Sequence, residues 1–218
     1  MAELDVNLID GLAALVLLTA FLIVATGRMR TLVRVFALQS LALGLLAAAV
    51  AYSTGYWHIY IVAALTILLK ALVIPRIIDR VMDRIQVAND VEPSVRTPSS
   101  LLIAGGLAIL AYYVAEPLIQ SGETITAGAL ALSLAVVLIG LFVMISRKKA
   151  ITQVIGLLVM ENGLFMAALS LSYGMPLIVE LGVFFDIMVA VLIMGVFVFR
   201  INRTFDTLDT SFLRRLRD

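Results

Sequence analysis

The chain is built from apolar runs close to the ~20 residues that a helix needs to cross ~30 Å of hydrocarbon. Seven runs are read, at about 8–26, 33–52, 57–78, 100–118, 125–146, 151–172 and 177–199. A β-barrel would instead show alternating segments of about ten residues. A hydrophobic share of 62% is also more than a soluble domain of this length could enclose. The expected class is an all-α integral membrane protein.

The charges lie between these runs, and their distribution fixes an expected orientation. Arg28, Arg30 and Arg34 flank the first turn, and Arg76, Arg80, Arg84 and Arg96 follow the third span. Arg147, Lys148 and Lys149 follow the fifth, and Arg200, Arg203, Arg214, Arg215 and Arg217 follow the seventh. With seven spans all of these fall on one side. Glu3, Asp5, Asp10, Glu116 and Glu123 fall on the other. The positive-inside rule then sets the N-terminus outside and the C-terminus in the cytoplasm. The acids ahead of the first run argue against a cleaved signal peptide. Tyr52, Tyr56, Trp57 and Tyr60 at one outer turn are expected as interfacial anchors, and His58 beside them as an interfacial residue.

Within the spans, polar residues are few. Glu161 and Asp186 stand near the middle of the sixth and seventh. A carboxylate at the bilayer centre costs about 2.5–3.5 kcal/mol on insertion scales, and such residues usually mark an ion or proton path. Adjacent antiparallel helices would place the two acids at comparable depth, Glu161 ~15 Å in at 1.5 Å per residue. If they face each other, burial and mutual repulsion favour sharing a proton. On the helix around Glu161, Gly156, Gly163, Ala167 and Ser170 form a face suited to close helix approach. Glu161, Leu157, Phe165 and Ser172 project elsewhere, toward a cavity or a neighbouring subunit. Lys70, deep in the third span, either snorkels to the surface or joins the path. Pro75 follows it as a candidate kink. Gln39 is expected to make a helix–helix hydrogen bond, Asn162 to bond nearby or serve as a structural amide, and Glu180 either to sit at an outer entry point or, more simply, to be hydrated at the interface.

With no cysteine and one histidine, disulfides, iron–sulfur ligation, thiol catalysis and a histidine-based metal site are not expected in this chain. No nucleotide loop, nucleophile triad or nucleic-acid-binding pattern is present, and Gly105-Gly106 is a packing feature. Residues 77–87 continue the third span as an amphipathic stalk, and 88–99 form the longest loop. Phe205, Leu208, Phe212, Leu213 and Leu216 share a face of a terminal amphipathic helix. Spans one to three and five to seven read as a parallel repeat joined by the fourth. Each half has a basic turn (GRMRT, SRKKA), then a central polar pair (Gln39-Ser40, Glu161-Asn162), then one deep charge (Lys70, Asp186). The expected units are 1–90, a 91–122 linker with the fourth helix, and 123–218.

The stretches VIGLLVMENGLFMAALSL, VELGVFFDIMVAVLIMGVFVFRI and TFDTLDT resemble component E of hydrogenase-4 and formate hydrogenlyase complexes, across the whole chain. Residues of about 125–210 also resemble the three-helix K subunit of respiratory complex I and its relatives in multisubunit cation/proton antiporters. The resemblance implies that two intramembrane carboxylates belong to a polar axis linking a redox arm to antiporter-like subunits. Glu161 matches the first and Asp186 the second, with Asp in place of Glu. Gln39 and Lys70 occupy the other half, which carries no such acids.

The expected function is a non-catalytic membrane subunit of an energy-converting hydrogenase-like complex, in a bacterial or archaeal cell membrane. The proton or ion path would comprise Glu161, Asp186, Lys70, Gln39 and Glu180. The partners would be antiporter-like and complex I-like membrane subunits, with Ni-Fe and Fe-S centres in other chains and no cofactor in this one. The alternatives are a subunit of a multisubunit cation/proton antiporter and a stand-alone seven-helix transporter. The transported ion, H⁺ or Na⁺, is open.

Overall fold

A computed structural model describes residues 2–85, 91, 95–120 and 127–172. Helix α1 spans Ala2–Ala25 and α2 spans Met29–Thr54. Gly55 ends α2 in the left-handed region at φ 74°, where its N–H donates to the Ala51 carbonyl. Only glycine adopts that conformation without steric cost. A rod comes next: α3 (Trp57–Thr66), a π-helical segment (Ile67–Val73) and α4 (Ile74–Ile85). Helices α5 (Thr97–Gln120), α6 (Ala127–Ser146) and α7 (Ala150–Ser172) complete the described chain.

Among the described residues, six helical stretches are long and apolar enough to cross a membrane: Asn7–Ala25, Met29–Thr54, Trp57–Asp83, Thr97–Pro117, Gly128–Ser146 and Ala150–Leu171. They correspond to the first six runs of the sequence, shifted at the ends by a few residues. The seventh run and the terminal amphipathic segment lie outside the described residues. Arg30 pairs with Asp83, the Val91 N–H donates to the Gly27 carbonyl and Arg147 reaches the Val24 carbonyl, so the basic α1–α2 turn, α4 and the Arg147–Lys149 turn gather at one end of the bundle.

Helix α2 lies at the centre, against α1, α3, the π segment, α4 and α7, while α6 joins α1, α5 and α7. Its central place explains why Phe36, Leu43 and Leu46 are among the most enclosed side chains. Helix α5 is peripheral and exposes Leu102, Ile109 and Tyr113. In lipid an apolar outer face carries no penalty, because a helix satisfies its backbone groups internally.

Helices α6 and α7 pack at backbone distance. A β-carbon on Gly156 would lie 2.6 Å from the Met144 nitrogen, and one on Gly163 2.7 Å from the Val137 nitrogen. Gly140, on the opposing helix, meets the Met160 backbone in the same way. The small-residue face expected on the sixth span is therefore the α6 seam. With no solvent-driven force between helices in a bilayer, close van der Waals approach of this kind holds them together.

The amphipathic stalk expected over 77–87 is described as far as Ile85, as α4. It lies back on α2, burying Ile74, Ile78, Val81 and Met82. Arg30 and Asp83 pair across the α2–α4 contact at 2.7 Å, both side chains being exposed. An exposed pair of this kind adds about 0–1 kcal/mol, so burial of the apolar face carries the docking. Val91 is enclosed and donates its N–H to the Gly27 carbonyl, tying the segment after α4 to the α1–α2 turn.

Candidate functional site: a buried polar layer

Glu161 stands midway along α7, on the face also occupied by Leu157 and Phe165, away from the glycine seam. Its Oε1 lies 3.0 Å from Lys70 Nζ, with side-chain exposures of 6% for the acid and 2% for the lysine. The Lys70 Nζ also lies 5.9 Å from the centre of the Phe165 ring, which is one α-helical turn beyond Glu161. Lys70 therefore does not snorkel to the bundle surface. It turns inward, and an enclosed charge facing an enclosed opposite charge avoids the cost of standing alone.

The local backbone around Lys70 is unusual. The π segment centres on it, and the Ile74 N–H donates to the Leu69 carbonyl, five residues back. Pro75 supplies a reason. It has no N–H to return to Ala71, and in an α-helix its ring would crowd the carbonyl four residues earlier. A wider turn relieves that conflict, and π turns recur at functional positions. In the sequence this signal is a candidate kink at Pro75. The structure shows a local change of helix type instead.

One residue beyond Glu161, Asn162 points into the contact between α7 and α2. Its Nδ2 donates to Gln39 Oε1 and to Ser40 Oγ, both at 3.3 Å. Gln39 Nε2 donates in turn to the Val16 carbonyl of α1 at 3.1 Å. Asn162, Gln39 and Ser40 are fully enclosed. The central polar pairs of the two sequence halves thus meet directly. With Lys70 and Glu161 they form a polar layer running across the bundle, from the π segment through α7 and α2 to α1.

Arg147, in the α6–α7 turn, is also enclosed, at 4% exposure, and its Nη2 donates to the Val24 carbonyl in the last turn of α1 at 2.8 Å. Burial lowers its pKa from the ordinary arginine value. In the sequence it is one of the basic turn residues, and nothing in the pattern of charges separates it from Lys148 and Lys149. Asp186 and Glu180 lie outside the described residues. The structure therefore brings together Lys70, Glu161 and Gln39 in one layer, with Asn162 and Ser40 as further members.

Residues 128–218 match the family model of NADH-ubiquinone/plastoquinone oxidoreductase chain 4L. The chain is 36% identical to Uncharacterized protein Rv0085 of Mycobacterium tuberculosis over 212 residues, covering 97% of this chain and 96% of that protein. It is 28% identical to Hydrogenase-4 component E of Escherichia coli K12 over 211 residues, covering 96% of this chain and 97% of the relative. The Hydrogenase-4 component E of Shigella flexneri is similar to the same degree, at 28% over 211 residues. No solved structure matches the chain.

Proposed function

We propose that the chain, which is similar over nearly its full length to Hydrogenase-4 component E and matches the chain 4L family model over residues 128–218, is a non-catalytic membrane subunit of an energy-converting hydrogenase complex. In this reading it contributes intramembrane carboxylates to a proton or ion path. Its partners are antiporter-like and complex I-like membrane subunits of the same assembly. Nickel–iron and iron–sulfur centres belong to other subunits. The N-terminus faces outward and the basic end of the bundle faces the cytoplasm, in keeping with the positive-inside rule.

The observation that carries this reading is the Lys70–Glu161 pair, enclosed midway through two spans at 3.0 Å. Glu161 can take up a proton, or Lys70 can give one up. Either event abolishes the attraction between them and frees a side chain to find another partner. A charge transfer elsewhere in the complex can thereby be converted into a movement of this pair. Asp186 provides the next carboxylate, Gln39 a hydrogen-bonding step on the α1 side, and Glu180 the outer entry. Lys70 is the counter-charge that a buried carboxylate needs in order to remain ionised in hydrocarbon.

The test is made in the assembled complex. The substitution Glu161→Gln keeps shape and hydrogen bonding but cannot carry charge. Subunit composition is expected to be preserved, while proton movement per turnover falls to background. An assembled Glu161→Gln, Asp186→Asn double variant with undiminished ion coupling would refute the proposal. Co-purification of nickel and iron–sulfur proteins with the chain is expected as well. An antiporter assembly lacking both would assign the same site to a different machine.

A further inference from the structure

Gly44 sits in the middle of α2, a position where glycine destabilises a helix relative to alanine. It is enclosed, and a β-carbon there would collide with Ile67 Cγ1 and lie 3.0 Å from its Cδ1 and 3.4 Å from the Ala63 carbonyl oxygen. Ile67 is the first residue of the π segment, which lies against α2. As a β-branched side chain it has little rotamer freedom with which to move aside. A π turn takes in one residue more than an α turn. The residues beyond it are therefore set back by roughly 100°, the angle that one residue subtends in an α-helix. Lys70, three residues after Ile67, lies inside the π segment, so its direction depends on where that segment is seated.

We propose that Gly44 is a positioning residue for the Lys70–Glu161 pair: the space it leaves admits Ile67, lets the π turn seat against α2, and so aims the ammonium at the carboxylate. The interaction of a long lysine side chain with an acid on another helix depends on where its own helix begins to turn. Gly44 fixes that starting point without touching either charge. Whatever the pair does for ion coupling, it is Gly44 that sets its geometry. The importance of that geometry for transport rests on the function proposed above.

The test is a thermodynamic cycle on the full chain in lipid nanodiscs. Unfolding is measured for the parent, Lys70→Met, Glu161→Gln and the double variant, first with Gly44 and then with Gly44→Ala. With Gly44 the two side chains should be coupled by roughly a hundredfold in the unfolding equilibrium. With Gly44→Ala the coupling should fall toward unity, and adding Ile67→Ala, which removes the colliding atoms, should restore it. A parallel cycle on Arg30 and Asp83 should read the same in both backgrounds. A residue that only fills space would lower stability and leave the Lys70–Glu161 coupling intact, and that result overturns the proposal. So does absence of coupling with Gly44 present, or failure of Ile67→Ala to restore either the coupling or the accumulation of a Gly44→Ala chain that does not fold. Unfolding requires no transport. If Gly44→Ala uncouples the pair yet proton movement in the complex is unchanged, the positioning role stands and the proposed path falls.

Discussion

Lys70 and Arg147 are two enclosed cations in one small bundle, and the structure treats them differently. Lys70 lies midway through a span, faces a carboxylate and sits beside an aromatic ring. Arg147 lies at the end of the bundle and meets a main-chain carbonyl of the last turn of α1. A carbonyl cannot be protonated and an arginine does not release its proton, so the second contact is fixed. It supplies a donor to an orphan carbonyl and a positive charge to a helix C-terminus, and it ties α1 to the α6–α7 turn. Both members of the first contact can change charge. Enclosure alone therefore does not tell the two cations apart; the chemistry of the partner does.

The largest effect is expected where that contrast is sharpest. Lys70→Met leaves a carboxylate enclosed without its counter-charge, a loss of about 3–5 kcal/mol. Thermal unfolding in nanodiscs should show a large drop, mostly recovered when Glu161→Leu is added. Proton coupling should not recover with it. Recovery of both would erase the distinction between the two cations.

Next comes Arg147→Leu. Loss of a charged hydrogen bond should cost about 1.5–3 kcal/mol. Burial lowers the Arg147 pKa and so disfavours the charged folded form, a penalty present at every pH below that lowered value and offset by the Val24 contact. Both states remain protonated across neutral pH, so the stability lost in Arg147→Leu should not vary between acid and mildly alkaline buffer. A pH-dependent loss would place Arg147 with Lys70.

The smallest effect is expected at Asn162. Hydrogen bonds between membrane helices average about 0.6 kcal/mol. Asn162→Leu should therefore lower stability slightly, and its consequence for ion coupling should exceed its consequence for unfolding if the polar layer is part of the path. Equal, minor effects on both would make the Asn162–Gln39–Ser40 contact a packing device like the α6–α7 seam.

Much of the fold is legible in the residues alone. The six described spans and the small-residue face of α7 come from run length and from the spacing of Gly156 and Gly163. The meeting of the two central polar pairs has a trace in the repeat, where Gln39-Ser40 and Glu161-Asn162 hold corresponding places. The partner of Glu161 has none. Sequence proximity favours Asp186, in the next apolar run, and leaves Lys70 balanced between the surface and the path. The π turn is visible only as Pro75, because a proline announces that an α-helical bond is missing and not how the backbone compensates.

Sequence alone decided that the chain must be helical and membrane-spanning, because hydrocarbon leaves a run of about twenty apolar residues no other way to satisfy its backbone. It also decided which few side chains would be expensive to enclose. Tertiary structure decided which of them meet. That choice depends on interhelical distance and helix rotation, set here by glycines that let backbones touch and by one widened turn, and neither quantity is a function of local composition.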